Sequence, residues 1–311
     1  MAIPFFSARD VEAAVRPERA YEAVREAFVA HARGEWAMQP KLYVTNYPAG
    51  DFRAMPALGG GHALLKWVTS FPGNPARGLP TVSGLVILSD AETGAVEAVL
   101  DAGAVTSLRT GAAAVLAAEV LGKPGGSLAV IGVGVNGRAS ARTAAALGRE
   151  VAVWDVDAER AQAAAGELGA GVASSLAEAL AADIVVTVTP GKQILLAEGS
   201  LQPGQHVSLM GADGPGKAEI AVAEIRRTRV FCDEWEQASH GGELAAAVEA
   251  GAIAREDVTE LGAVLTGESE GRRTPEEITI FDSTGLAIQD LAVAIAAYEQ
   301  ADTLELPRLD L

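Results

Sequence analysis

Apolar positions along this chain change their period twice, and the changes divide it into three stretches. Over residues 10–33, Val11, Ala14, Val15, Ala20, Val24, Ala27 and Phe28 recur at helical spacing, with Gly34 as a stop. That pattern predicts one helix. Residues 41–100 read instead as short β-rich runs at 41–45, 51–57, 63–71, 81–89 and 96–100. Turn residues separate them: Gly59-Gly60-Gly61, Pro72-Gly73-Asn74-Pro75 and Thr93-Gly94. The spacing predicts an antiparallel sheet. A helix of small residues follows over 106–121, closed by Gly122-Lys123-Pro124.

After Gly125-Gly126 the pattern becomes continuous apolar runs at 127–132, 151–155, 183–189, 206–211, 229–233 and 278–281, alternating with Ala-rich helices. Strands that are apolar on both faces imply a parallel sheet covered on both sides. The predicted fold class is therefore α/β: a Rossmann-type doubly wound domain over 122–285 and a smaller α+β domain over 1–121. A last helix over 284–300 returns to that smaller domain, carrying residues 286–311 with it.

Composition narrows the function more than the fold. The 49% hydrophobic and 21% charged residues describe a globular chain. Its net charge of −17 excludes nucleic acid and anionic membranes as partners, because both demand a basic footprint. No apolar stretch is read as long enough to span a bilayer, and the start, Met1-Ala2-Ile3-Pro4-Phe5-Phe6, lacks a signal peptide's basic region. With a single cysteine, Cys232, the expected compartment is the cytoplasm. The histidines His31, His62, His206 and His240 have no metal-ligand spacing, so no metal is expected.

The string Gly132-Val133-Gly134-Val135-Asn136-Gly137 follows the run 128–131 and opens a helix expected over 138–147. In that setting the glycines permit a tight turn, close approach of a pyrophosphate and close helix packing. The helix N-terminus adds free N–H groups for phosphate. Asp155 ends the second strand at the distance expected of a ribose-binding acid, which favours NAD; Arg160, one turn further, leaves NADP open. Thr187, Thr189, Asp213 and Asp282-Ser283-Thr284 stand at later strand ends, where open α/β sheets bind their ligands.

Three cations occupy apolar or glycine-rich surroundings: Arg53, Lys66 and Arg109. Arginine binds a carboxylate bidentately. Arg109 is placed in the first turn of its helix, where a cation opposes the dipole unless an anion neutralises it. For Arg53 and Lys66 an exposed strand charge is the competing reading; for Arg109 it is a phosphate contact. Asp213 reads either as a proton-handling acid or as a turn-former.

At this point the chain resembles the ornithine cyclodeaminase/mu-crystallin family, and within it the archaeal-type alanine dehydrogenases. The strings that carry the resemblance are Arg53-Ala54-Met55-Pro56, Gly78-Leu79-Pro80-Thr81-Val82, Arg109-Thr110-Gly111-Ala112-Ala113, Gly211-Ala212-Asp213-Gly214-Pro215-Gly216-Lys217, His240-Gly241-Gly242-Glu243 and Phe281-Asp282-Ser283-Thr284-Gly285-Leu286-Ala287. The resemblance implies that Arg53, Lys66 and Arg109 bind a substrate carboxylate, that Lys66 also lies near the reacting nitrogen, and that Asp213 handles protons or positions the attacking water or amine. It places Thr110, Gly132, Gly134, Asn136, Gly137, Arg138, Asp155, Thr187, Thr189, Gly211 and Ser283 at the cofactor. It also implies a homodimer joined through the N-terminal β-rich domain.

The expected reaction is NAD-dependent oxidative deamination of a small L-amino acid such as L-alanine. Asp213 would take a proton from the ammonium, hydride would leave the α-carbon, and water would attack the iminium. A cyclodeaminase would share the first step on ornithine and return the hydride. Family cyclodeaminases typically have cysteine after the aspartate, where this chain has Gly214. A cyclic ketimine reductase and a non-catalytic, crystallin-like NAD-binding protein are the remaining alternatives.

Overall fold

In the computed structural model, residues 2–310 are described, apart from Lys192, Asp213 and Pro215. The chain divides into two compact units, Met1–Arg109 with Leu286–Leu311, and Thr110–Gly285. The division falls earlier than the expected 121/122, because the second half of one long helix packs with the second unit.

The first unit runs β1 (Ala2–Phe6), α1 (Ala8–Ala14), α2 (Pro17–Ala32), β2 (Ala37–Met38), β3 (Leu42–Asn46), β4 (Gly50–Gly59), β5 (His62–Ser70), β6 (Val82–Asp90) and β7 (Val96–Asp101). The long helix α3 (Ala102–Leu121) then leads into the second unit. The single helix expected over 10–33 is two helices. Pro17 cannot donate a backbone hydrogen bond, and the residue before it, Arg16, is extended at φ −72° and ψ 156°. Helix α3 begins four residues before the expected 106, so Arg109 lies two turns inside it and the dipole argument for that residue fails.

Helix α3 also corrects the expectation about bilayer-length segments. Its 20 residues are long and apolar enough to cross a membrane, but 83% of that window is buried inside the protein. Small side chains explain the fit: a Cβ at Gly111 would sit 2.6 Å from the Ala139 carbonyl oxygen.

The second unit contains β8 (Leu128–Ile131), α4 (Val135–Ala146), β9 (Val151–Trp154), α5 (Ala158–Leu168), β10 (Gly171–Val172), α6 (Leu176–Leu180), β11 (Ile184–Thr187), β12 (His206–Leu209), α7 (Val222–Ile225), β13 (Arg229–Cys232), α8 (Trp235–Gly241), α9 (Ala245–Glu249), β14 (Val258–Glu260), α10 (Leu261–Thr266) and β15 (Thr279–Asp282). The chain then returns to the first unit as α11 (Ala287–Tyr298) and β16 (Arg308–Asp310).

The second unit's strands form one parallel sheet in the order β10-β9-β8-β11-β12-β15-β13-β14. The order reverses between β8 and β11, which is the switch point where doubly wound sheets bind ligands. Ala129, Ile131, Val185, Val207, Leu209, Val230 and Ile280 make up much of the buried core behind it.

The first unit's sheet runs β16-β1-β7-β6-β5-β4-β2, with β3 also on β4. It is antiparallel except where β1 pairs with β7. Alternation along β5 turns Leu64, Lys66 and Val68 to the buried face, while Leu65 and Trp67 are exposed. Helices α2 and α11 pack against each other, and α11 lies on β4 and β5.

Candidate functional site

Residues 132–137 occupy the turn from β8 into α4. Gly132 has φ +89°, a conformation that disfavours any side chain, and a Cβ there would also meet the Val188 carbonyl oxygen at 2.6 Å. At Gly137 a Cβ would fall 1.8 Å from the Gly132 carbonyl oxygen, so α4 reaches the strand end only because this position is bare. Gly134 is the N-cap of α4, and the helix starts at Val135 rather than at 138. The turn therefore keeps the open, positively polarised helix end that a pyrophosphate requires.

Asp155, at the end of β9, is buried and accepts the backbone N–H of Val133 at 2.9 Å and that of Asp157 at 3.0 Å. The carboxylate thus clamps the glycine turn to the neighbouring strand. Arg160 lies 3.6 Å from Asp155 and 3.5 Å from Asp157. Arg138 donates to the Val133 carbonyl and pairs with Glu167. Asn136 is half-buried, and its carbonyl accepts from Ser140 Oγ. Thr110 is buried, and its hydroxyl has no hydrogen-bond partner among the described residues. The adjacent Gly111 lies against Ala139 of α4. An orphaned hydroxyl beside the glycine-turn helix, together with a bare turn and a strand-end acid, fits a dinucleotide.

The strand-end residues beyond this turn are engaged by buried carboxylates, of which the sequence reading singled out only Asp282. Glu219 accepts Thr187 Oγ1 at 2.7 Å and both the N–H and hydroxyl of Thr189, at 2.9 and 2.5 Å. Gly211 is bare because a Cβ would lie 2.6 Å from that same carboxyl group. Glu243 in turn accepts the N–H of Glu219 at 2.8 Å and of Ile220 at 3.3 Å. Asp282 accepts the N–H of Leu244 at 3.1 Å. Asp233 receives the Ser283 hydroxyl at 3.1 Å, the Thr284 hydroxyl at 3.3 Å and the Gly285 N–H at 2.8 Å.

Burial, and for Glu243 the neighbouring Glu219, pushes the Glu243 carboxyl up to about 8. Burial likewise raises Glu219, and burial with Glu243 and Asp233 nearby raises Asp282 well above the carboxylate range. Glu243 and Asp282 stand in strings already distinctive in the sequence; their signal was a charge adjoining glycines and strand ends. Asp213 lies outside the described residues.

In the first unit, Arg53, Lys66 and Arg109 are all inward-facing, so the exposed-charge readings of Arg53 and Lys66 fail. Arg53 is 8% and Lys66 1% exposed. Arg53 forms a two-pronged pair with Asp51, Nε to Oδ1 at 2.6 Å and Nη2 to Oδ2 at 3.3 Å. Lys66 Nζ lies 2.9 Å from Asp290 Oδ1, and Arg109 Nε lies 3.4 Å from the same oxygen. Arg109 Nη1 also donates to Gln289 Oε1 at 3.4 Å. Burial drives Lys66 down to about 8, with Arg109 and Arg53 pushing the same way and Asp290 opposing them. Asp290 was readable as the lone charge in the apolar helix Ala287–Tyr298.

The remaining polar candidates are held by neighbours within the second unit. His206 is buried between Thr279 and Ser208 hydroxyls, and burial lowers it to about 3. His240 Nδ1 contacts the Glu236 carbonyl and Ser239 Oγ. Cys232 is buried in β13, and burial raises its thiol well above its ordinary value. No group of metal-ligating side chains occurs among the described residues.

The family signature described as "Ornithine cyclodeaminase/mu-crystallin family" matches residues 4–305. An alanine dehydrogenase of Archaeoglobus fulgidus is 43% identical over 301 residues, 94% of this chain and 93% of that protein. A solved archaeal alanine dehydrogenase dimer with bound NAD superposes with a TM-score of 0.95 at 40% identity, covering 100% of both chains. The iminosuccinate reductase of Paracoccus denitrificans, solved with NAD+, gives 0.91 at 30% identity, again over 100% of both. With its glycine turn, its strand-end acid and its buried cations in place, this chain belongs to the ornithine cyclodeaminase/mu-crystallin family.

Proposed function

We propose that the protein is an NAD-dependent dehydrogenase of a small L-amino acid, converting L-alanine, NAD+ and water to pyruvate, ammonia and NADH. The observation that carries this reading is the inward-facing cation cluster of the first unit. Arg53 pairs with Asp51 on β4, while Lys66 from β5 and Arg109 from α3 converge on Asp290 Oδ1, gathering three cations of the kind that bind a carboxylate. The relatives named alanine dehydrogenase support the substrate, and those solved with NAD support the cofactor.

Residues 132–137, the α4 N-terminus, Asp155 and Thr110 would hold the dinucleotide, with Thr187, Thr189, Gly211 and Ser283 bordering its nicotinamide end. When bound, NAD supplies the acceptor for the α-hydrogen with its electron pair. Arg53, Lys66 and Arg109 fix the substrate carboxylate and so orient the α-carbon. Asp213 takes the proton from the substrate ammonium, since only the neutral amine has the lone pair that drives oxidation. Lys66, held near 8, can exchange a proton at Nζ close to neutral pH. Asp155 selects a free ribose hydroxyl over a phosphate, and Arg160 is already engaged by two acids.

A homodimer through the first unit's sheet belongs to the same reading. The sheet face opposite α11 exposes Leu42, Val44, Leu65, Trp67 and Leu85, a patch typical of an interface, and an archaeal alanine dehydrogenase relative was solved as a dimer.

The test mixes purified protein, NAD+ and either L-alanine or L-ornithine, following NADH absorbance and ammonia together. Steady NADH and ammonia from alanine are expected. Ammonia from ornithine with no net NADH would replace this reading with cyclodeamination.

A further inference from the structure

Asp290 is an unusual carboxylate. It sits in the first turn of α11, wholly buried, on a helix whose other residues from Ala287 to Tyr298 are uncharged. Its Oδ1 meets both Lys66 Nζ and Arg109 Nε, while Oδ2 has no hydrogen-bond partner among the described residues. Asp233, by contrast, is surrounded by hydroxyl and N–H donors. A buried carboxylate with one oxygen unsatisfied costs stability, so its presence calls for an explanation other than holding the fold together.

We propose that Asp290 is the positioning residue of the cation cluster: it gathers Lys66 and Arg109 onto one oxygen and keeps Lys66 an ammonium, so that the pair forms a ready-made receptor for one substrate carboxylate. The role as substrate receptor rests on the reading of the site given above; the control of Lys66 does not.

The surroundings of Lys66 make the dependence direct. Arg53 comes from β4, Arg109 from α3 and Asp290 from α11, and Lys66 itself stands on β5. Two of these three neighbours are cations, and both favour loss of the Lys66 proton, as does burial. Asp290 is the acid that opposes them, through its charge and through its hydrogen bond. Gln289, the preceding residue of α11, steadies the Arg109 guanidinium from the same turn. Among the described residues, removing the Asp290 charge therefore leaves Lys66 facing influences that neutralise it.

The chain has five lysines, so the full-length protein labelled with 13Cε-lysine gives few signals, and loss of one in Lys66→Arg identifies Lys66. The wild-type titration is expected near 8. In Asp290→Asn the midpoint falls by about one pH unit or more, the KM for L-alanine rises more than tenfold, and NADH affinity changes little. The alkaline side of the pH–rate profile shifts downward with the NMR midpoint, which a merely structural role would not produce. Asp290→Glu keeps the charge and restores the midpoint to near the wild-type value.

An Asn variant with an unshifted or raised midpoint overturns the proposal. Where that variant does not fold, the Glu variant decides: a midpoint displaced downward by a unit or so despite the retained charge also overturns it. If the wild type does not oxidise alanine, the proposed function fails, while the Lys66 titration still tests Asp290.

Discussion

Asp155 and Val133 are 22 residues apart in sequence, yet the Asp155 carboxylate accepts the Val133 N–H at 2.9 Å. One acid therefore shapes the glycine turn and, in the proposed complex, contacts the ribose. Asp155→Ala should weaken NAD binding by roughly tenfold or more, as expected for a lost charge-assisted hydrogen bond worth about 1.5–3 kcal/mol. Preference for NAD over NADP should fall with it. Titration of NADH and NADPH fluorescence checks both, and unchanged NADH affinity would contradict the assignment.

Gly137 offers a sharper version of the same test. Alanine there would place a methyl group 1.8 Å from the Gly132 carbonyl oxygen, so α4 must withdraw from the strand end. Gly137→Ala should lose NADH binding and destabilise the protein by about 1–3 kcal/mol, the range for overpacking. Alanine at Gly134, whose Cβ position meets nothing within 4 Å, should fold normally. Equal damage from both substitutions would mean that close packing is not what position 137 requires.

The buried carboxylates predict a pH dependence of stability. Glu243 titrates near 8 in the folded protein against 4.5 ordinarily. Between those values the folded state holds a proton that the unfolded chain has released. Stability must therefore fall as pH rises through this window, and this contribution ends above about 8. Glu243→Gln should make the slope shallower by about one proton, with Glu219 and Asp282 supplying the remainder. Urea midpoints measured from pH 5 to 9 would show it. A slope identical to wild type would mean that Glu243 is ionised throughout.

Cys232 should be inert. Buried in β13 with its thiol pushed well above the ordinary range, it presents neither thiolate nor access. Native protein should leave an aromatic disulfide reagent unreacted, and unfolded protein should release one equivalent. Rapid labelling of the native state would contradict the burial.

The succession of strands along the chain and the glycine turn were legible in the sequence because period and turn chemistry are local. Each of the five β-rich runs between 41 and 100 corresponds to a strand of the first sheet, within one to two residues. The interruption at Pro17 was legible too, had its missing N–H outweighed the helical period on either side. Short strands such as β2, β10, β14 and β16 were not, since two or three residues carry no period.

The cations were visible as charges among apolar neighbours, but their partners were not. Asp51 is two residues from Arg53, whereas Asp290 is 224 from Lys66, and nothing local links the latter pair. The acids behind Thr187, Thr189 and Ser283 were hidden for the same reason: Glu219 and Asp233 meet them through the fold.

The most direct measurement follows the α-hydrogen itself. L-Alanine deuterated at the α-carbon is incubated with NAD+ and the protein, and both the cofactor and the carbon product are analysed by mass. The account predicts deuterated NADH accumulating in step with pyruvate and ammonia. Deuterium absent from the accumulated cofactor, or ammonia released from α-deuterated L-ornithine with the label retained in a cyclic product, would contradict it.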